Sequence, residues 1–531
     1  MTATGAGATR QVDTVVIGGG SNGLVAAIAL ARTGSKVVVV ESGAAIGGAL
    51  AEIEFSPGYR AAPLAADLGW IPPDVWRGMG LGVRAEVVAD PTVIALGGDG
   101  RALKFRRTVA DTAAEIRQFS SRDAEQWPAF TRLIGMVTGF LGQLYGAPPP
   151  RIDASSLGEF LALLKMGRKL RGLGKREMVE VLRTVPLSAA ELFDDWFESD
   201  LLKGTLAALA VADVSQGPMS GGTAFTFLHR HVGGAPGVFG ERLRLKEGGS
   251  SFMAALAERA RAAGVEIRCN AEVRSLVVRD DRVTGVVLAD GSEMVAKDVV
   301  SSLDAHRTLL ELLDPVHLDP EFIHAVKQIR YRGVTTKLLL AMDSIPPVPG
   351  TSGPIEGAVV IAPSIQYVEK AADAGKYGRY AEAPVVEVRW PSVAEPRLAP
   401  AGKHVAVVSV QSTPYRLRDR TWAECRDEVA KVALTAIERV VPGFGERIRH
   451  QTVLTPVDIE QRFGRREGAV SQGEMMLDQI LFMRPVAGYS RYATPMPGLY
   501  LCGACTHPGG GVTGMSGWLA AQAVLAGRAG R

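Results

Sequence analysis

From Asp13 the chain reads DTVVIGGGSNGLVAAIALARTGSKVVVVES, and no other stretch limits its fold as strongly. A short apolar strand meets a glycine turn. An alanine-rich helix with Leu24, Ile28 and Ala31 at helical spacing follows, and a valine strand closes the unit. This is a complete βαβ element. Gly18, Gly20 and Gly23 form GxGxxG: the first allows the tight turn, the second lets backbone approach a pyrophosphate, and the third lets helix pack on strand. The helix N-terminus then faces the phosphates. Glu41 closes the second strand, where a carboxylate accepts hydrogen bonds from a ribose 2'-hydroxyl and repels a 2'-phosphate. Gly47 and Gly48 could bring a second piece of backbone to the same dinucleotide.

Two later segments bear on which dinucleotide this is. Gly248 to Leu303 reads as a helix (Phe252 to Ala263), the strands VEIRC and VRSLVV, a hairpin across Asp280 and Asp281, VTGVVL, an Asp290-Gly291 turn and EMVAKDVV. Near the end, PGLYLCGACTHPGGGVTGMSGWLAAQAVLAG gives a strand, a long glycine loop and a helix whose N-terminus can face phosphate or flavin. Gly509, Gly511 and Gly514 repeat the GxGxxG spacing, but six residues separate them from the strand and no further strand and acid follow. They are therefore not a second nucleotide site. With no separate NAD(P)H module visible, the simplest scheme has substrate reduce a flavin and a diffusible acceptor reoxidise it.

IGGGSNGLVAA with Glu41, EGGSSFMAALAERA, ADGSEMVAKDVV and LYLCGACTHPGGG stand here in a familiar order, and with them the chain resembles the phytoene-desaturase-type flavoproteins. FSSRDAEQWPAF, FLHRHVGG and MMLDQILFMRP extend the likeness to the branch that contains pyridine nucleotide-disulfide oxidoreductase domain-containing protein two. The resemblance implies an α/β fold with a discontinuous Rossmann-like FAD-binding domain of the amine oxidase and phytoene desaturase type, beside an α+β substrate domain. It implies non-covalent FAD, with Gly18, Gly20, Gly23, Glu41 and Gly48 on the ADP half and Val273 by the adenine. Gly503 and the following loop, including Gly511 and Val512, would lie near the flavin. Ala49, Gln472 and Cys505 depart from the pattern, which more often has arginine, histidine and glycine there.

The expected organisation is an FAD-binding domain in three parts, 1–110, 246–324 and 456–531, enclosing a substrate domain in two parts. The first part, 111–245, reads mostly helical; the second, 325–455, holds strands such as TTKLLLAMD, PVVEVRWPS and HVAVVSVQS before a helix from Thr421 to Val440. Pro-rich breaks at 147–150 and 345–354 read as loops. At 531 residues, 47% of them hydrophobic, the chain has material for two or three domains with a sizeable core.

Lysine plus arginine number 59 against 56 acids, so the scattered net charge of +3 argues against a nucleic-acid partner. No apolar run approaches the roughly 18 residues of a membrane span. Met1 to Asp13 is small and polar, without the order of a secretory or transit leader, and four cysteines make no disulfide framework. A cytoplasmic protein is expected. The stretch from Phe160 to Arg183 is apolar on one side and carries Lys165, Arg168, Lys169, Arg171, Lys175 and Arg176. It reads either as a solvated helical face or as peripheral contact with anionic lipid. Gly167, Gly172 and Gly174 weaken any continuous helix. Oligomeric state stays open, homo-oligomers included.

Hydride abstraction by a flavin needs a C–H bond held against the ring, so apolar positioning can matter more than an acid-base pair. His229 and His231 precede Gly233 and Gly234, and a histidine near the flavin could move a proton or orient substrate. His229 is favoured because the resemblance places a histidine there. His507 sits in the flavin loop as substrate contact or loop brace, and Arg484 in FMRPVAGYS as ligand for substrate or flavin oxygens or as a structural ion pair. Cys502 and Cys505 make CxxC, but zinc wants two further ligands and a redox dithiol wants a helix start, so packing against the cofactor is expected and no metal site.

These readings imply an FAD-dependent dehydrogenase, desaturase or oxidase. It would take hydride from a largely apolar small molecule and pass electrons to oxygen, a quinone or another acceptor. The alternatives are an oxygen-dependent ketolase-like enzyme, a flavin-stabilised binding or regulatory protein with little turnover, and a plain NAD dehydrogenase.

Overall fold

The computed structural model describes residues 10–65, 69–81, 85–86, 89–150, 157–172, 174–235, 237–239, 244–245, 248–353 and 355–529. Residues 1–9, Pro354 and the side chain of Lys169 lie outside that set.

The valine-rich run of the opening βαβ unit is buried on both faces, as strands of a covered parallel sheet must be. Arg10–Ile17 pairs in parallel with Val37–Val40 on one side and with Glu293–Ser301 on the other. Glu266–Arg268 extends the sheet beyond Val37–Val40, and Leu499–Leu501 adds to Glu293–Ser301, both in parallel. The antiparallel pair Val273–Arg279 and Arg282–Leu288 completes seven strands. Asp280 and Asp281, both with φ near +50°, make the tight turn between them. One α/β sheet is thus assembled from stretches near both ends and the middle of the chain.

The two ends touch directly. Helix Ser21–Ala31 packs on helix Met515–Ala529, and a Cβ on Gly517 would collide with the Asn22 carbonyl oxygen. Only glycine permits that approach. The Gly514 N–H donates to Asn22 Oδ1 at 2.9 Å. Arg528, in the last turn, donates to Asp298 at 2.8 Å and to Thr14 Oγ1 at 2.7 Å. Asp298 is fully buried and also pairs with Arg282 at 2.9 Å, so two guanidiniums neutralise one interior carboxylate.

A second seven-stranded sheet runs in the order Ile448–Leu454, Thr335–Met342, His404–Gln411, Val386–Arg389, Ala358–Ile361, Val93–Leu96, Ala102–Phe105. Its first four strands are antiparallel neighbours. Val93–Leu96 and Ala102–Phe105 lie here although their sequence position groups them with the opening nucleotide unit: Val93–Leu96 pairs with Ala358–Ile361, and Ala102–Phe105 pairs in turn with Val93–Leu96. Helix Trp422–Val440, started by a Thr421 and Glu424 capping box, covers one face through Cys425, Val429, Ala433 and Ile437 against Leu338, Leu340, Val408 and Val410. The opposite face looks into a cavity.

Helices fill most of 109–230, around a cluster of Trp127, Phe130, Phe193, Phe197, Phe227 and Phe239. The basic stretch forms two helices, Leu157–Arg171 and Lys175–Thr184, interrupted at Gly172 and at Gly174, whose φ is +101°.

Candidate active site

The glycine turn closes as its residue types require. Gly18, at φ +95°, donates its N–H to Val40 O at 2.8 Å, and a Cβ on Gly23 would strike Gly18 O. Helix Ser21–Ala31 begins after Gly20 with no side-chain cap and no acid in its first turn. Its first N–H groups therefore await an acceptor. Gly48, at φ +59°, faces this start: a Cβ on Gly20 would lie 3.6 Å from Gly48 Cα. Two backbones without side chains thus form a cradle. Glu41 caps it, its carboxylate accepting from the Gly19 N–H at 2.7 Å and the Gly43 N–H at 2.8 Å. Both bonds fix the carboxylate at the strand end while lone pairs remain for a ribose.

Gly18, Gly20, Glu41, Gly48, Val273, Gly511 and Val512 all line one cavity of 1030 Å³. Gly23 and Gly503 lie behind its wall; a Cβ on Gly503 would come within 2.6 Å of Ser302 O. The tail loop is tied to the front of the cavity by Trp70, whose N–H donates to Gly511 O at 3.0 Å and whose carbonyl accepts from the Thr513 N–H at 2.7 Å. Gln472 donates to Ser302 O at 2.9 Å and accepts the Cys505 N–H at 3.2 Å, holding the strand end and the loop together.

His229 lines the cavity, but its ring is braced at both nitrogens. Nε2 lies 2.6 Å from Gly510 O and Nδ1 lies 2.8 Å from the Tyr145 hydroxyl. A carbonyl only accepts, so Nε2 carries the proton and Nδ1 accepts from Tyr145 in the neutral ring. His507 is fully buried and is not among the residues lining the cavity. Its Nε2 is 3.3 Å from Leu144 O, its Nδ1 makes no hydrogen bond among the described residues, and burial pulls its pKa down to about 4.

Arg484 has a structural role, but through backbone carbonyls and not through the ion pair that the sequence suggested as an alternative to a ligand. Its five N–H groups go to five backbone carbonyls: Ala504 at 2.9 Å, Glu474 at 3.2 Å, Gln479 at 3.0 Å, Ser471 at 2.6 Å and Gly473 at 3.3 Å. None is left for substrate, flavin or a carboxylate, and burial lowers its pKa to about 10. It clamps the 471–484 loops against the tail segment. Cys502 and Cys505 are free thiols whose side chains enter different cores, Cys502 with Val16 and Leu24, Cys505 with Val15 and Ala305. Burial raises both pKa values, that of Cys505 to about 12. Neither acts as a thiolate at neutral pH.

Strand reading alone passed over the far wall of the cavity. Thr335, Lys337, Glu387, Arg389, Ser409 and Gln411 alternate with the apolar residues of their strands and face inward. Period-two alternation in TTKLLL, VEVR and VVSVQS was the signal available. Lys337, only 9% exposed, donates to Ser409 Oγ at 2.8 Å. Glu387 pairs with Arg389 at 2.7 Å, and Asp213 with Arg230 at 3.5 Å. Burial pushes the Asp213 and Glu387 carboxyls up, yet the neighbouring cations, Lys337 among them, outweigh it and hold both below the usual range. Leu64, Leu209, Val214, Leu398 and Met475 supply an apolar remainder.

The cavity thus joins a dinucleotide cradle at one end to a chamber at the other, with a glycine loop between. A family model described as FAD binding domain matches residues 13–316. Pyridine nucleotide-disulfide oxidoreductase domain-containing protein 2 of Rattus norvegicus is 33% identical, over 97% of this chain and 93% of its own length. Phytoene desaturase (neurosporene-forming) of Cereibacter sphaeroides is 25% identical over 96% of this chain and 94% of its own. An oxidoreductase structure from Methanosarcina mazei aligns with TM-score 0.62 and 17% identity over 97% of this chain and 100% of that one, which speaks for the fold alone. The uncapped helix start, the two-glycine cradle and Glu41 suit the pyrophosphate and ribose of the cofactor these matches imply. The chain therefore belongs to the FAD-dependent oxidoreductases related to the phytoene desaturases, with FAD as its cofactor.

Proposed function

We propose that the protein is a dehydrogenase or oxidase that removes hydride from a small organic molecule held between the tail loop and the second sheet. Electrons then pass to oxygen, a quinone or another acceptor. The observation that carries this reading is the continuity of the cavity from Glu41 and Val273, through Gly20, Gly48 and Gly511, to Lys337 and Arg389. Bound FAD supplies a two-electron acceptor there. The chain's own work is positioning: His229 and Trp70 hold the loop, and the sheet face and apolar side chains orient substrate.

The chamber modifies the expectation of a largely apolar substrate. Leu64, Leu209, Val214, Leu398 and Met475 suit an apolar body, but a polyene would strip solvent from the polar face of Lys337, Glu387 and Arg389 and offer it no polar contact beyond the partners these residues already have in the protein. An apolar molecule bearing a polar or charged group fits both sets of residues. Anaerobic mixing of the FAD-loaded protein with a panel of hydrocarbons, alcohols, amines and acids tests this. Bleaching by polar-headed members supports it; bleaching by hydrocarbons alone, or by none, contradicts it.

The paired helices Leu157–Arg171 and Lys175–Thr184 expose Phe160, Leu161, Leu164, Val179 and Leu182 beside exposed Lys165, Arg168, Arg171, Lys175 and Arg176. This composition supports contact with an anionic lipid surface. No described helix is long and apolar enough to cross a membrane.

A further inference from the structure

The cradle brings no cation of its own. Residues 18–31 and 42–51 contain neither lysine nor arginine, so a pyrophosphate seated between Gly20 and Gly48 meets backbone N–H groups and the end of a helix dipole. A guanidinium reaches the same place from another part of the chain. Helix Pro456–Phe463 ends at Gly464 in the left-handed region (φ +60°), and the next residue is Arg465. Its Nη2 stands 3.8 Å from the point a Cβ on Gly48 would occupy, and that same point lies 2.8 Å from Gly20 Cα.

Among the described residues Arg465 has no hydrogen-bond partner and no carboxylate within ion-pair distance, and its Nε is sealed from solvent. Glu41 and Asp304 attract it from a distance, but each already has other donors. Glu41 takes the Gly19 and Gly43 N–H groups; Asp304 takes the Arg307 N–H at 2.9 Å and the Tyr331 hydroxyl at 3.2 Å. Burial lowers the Arg465 pKa, the mark of a cation short of solvation. A half-buried guanidinium whose Nε is sealed and unpaired bears a desolvation cost with nothing to offset it, whereas one facing a ligand anion is a strong bidentate donor. Of the other basic groups nearby, Arg307 pairs with Glu272 at 3.1 Å and Arg466 with Glu311 at 2.7 Å, while Arg462 lines the same cavity but is solvent-exposed.

We propose that Arg465 is the cofactor's phosphate ligand, donating to the pyrophosphate oxygens opposite the N-terminus of helix Ser21–Ala31. The diphosphate is then held from two sides, by the glycine turn of the first sheet and by a loop that follows the edge strand Ile448–Leu454 of the second. This rests on FAD occupying the cavity, and the test separates the two claims.

The full-length protein is stripped of flavin, and affinities for FAD, ADP and adenosine are measured by calorimetry or competition. Arg465→Gln should weaken FAD and ADP by about tenfold or more while leaving adenosine within about twofold, because only the first two carry phosphate. Arg465→Lys should recover part of the loss, and Arg466→Gln should bind all three as wild type does. Unchanged FAD and ADP affinity in Arg465→Gln overturns the assignment. An equal loss of adenosine also overturns it, since that marks general collapse of the cradle. Wild-type protein that binds adenosine and ADP but not FAD would instead remove the flavin reading, and this inference with it.

Discussion

At the scale of single residues, Glu41 and His507 are two side chains whose chemistry is set by what surrounds them. The Glu41 carboxylate organises the cradle through Gly19 and Gly43 and remains available to a ribose. Glu41→Arg removes those acceptors and places a second cation near Arg465. FAD affinity should fall by about ten- to a hundredfold, read as flavin remaining after dialysis. His507 is held neutral by burial, with a folded pKa of about 4 against an ordinary 6.5. The sign follows from linkage: the unfolded chain takes up the proton first as pH falls, so stability is intact above about pH 6.5 and is lost progressively down to about pH 4. The full difference is about 3 kcal/mol. Denaturant midpoints from pH 7 to 4 should show this decline, and His507→Gln should flatten it. An unchanged slope in that variant would return His507 to an ordinary solvated histidine.

Among elements, the contact between the first and last helices carries the most consequence. Gly517 lets helix Met515–Ala529 lie against helix Ser21–Ala31, and a side chain there meets the Asn22 carbonyl. Gly517→Leu should cost at least about 1–3 kcal/mol through overpacking and should weaken FAD retention, because Gly514 and Asn22 share the displaced interface. Equal thermal stability and flavin content would show that the helices separate without consequence. The lipid proposal belongs to the helices at 157–184. Wild-type protein should sediment with vesicles containing phosphatidylserine and not with neutral ones, and Lys165→Glu, Arg168→Glu and Arg171→Glu together should abolish it. Identical sedimentation of the triple variant would mean that the basic face is merely solvated.

Across the whole molecule, legibility followed the range of the interactions involved. The βαβ unit and the Asp280-Asp281 turn were readable because glycine and turn chemistry act within a few residues. The tail was expected to join the nucleotide unit; its strand lies beside Glu293–Ser301 and its helix against Ser21–Ala31, where Gly517 and Arg528 hold it. What escaped the sequence depends on partners far along the chain. Arg484 read equally as a ligand or as half of a structural ion pair, because its actual partners are carbonyls, which every residue has and no sequence pattern displays. Arg465 drew no notice because only the turn at Gly464 delivers it to Gly48. The inward residues of the second sheet were visible as alternation, but which face met the cavity became known only with Trp422–Val440 packed on the other.

The central claim is that FAD spans from Glu41 to the loop at 503–512 with its reactive ring turned toward Lys337 and Arg389. Electron density of the FAD-loaded protein tests it most directly. The account predicts adenine beside Val273, pyrophosphate between Gly20, Gly48 and Arg465, and the isoalloxazine between the tail loop and the charged sheet face. A flavin ring lying outside this cavity, or adenine and ring in reversed positions, would contradict it.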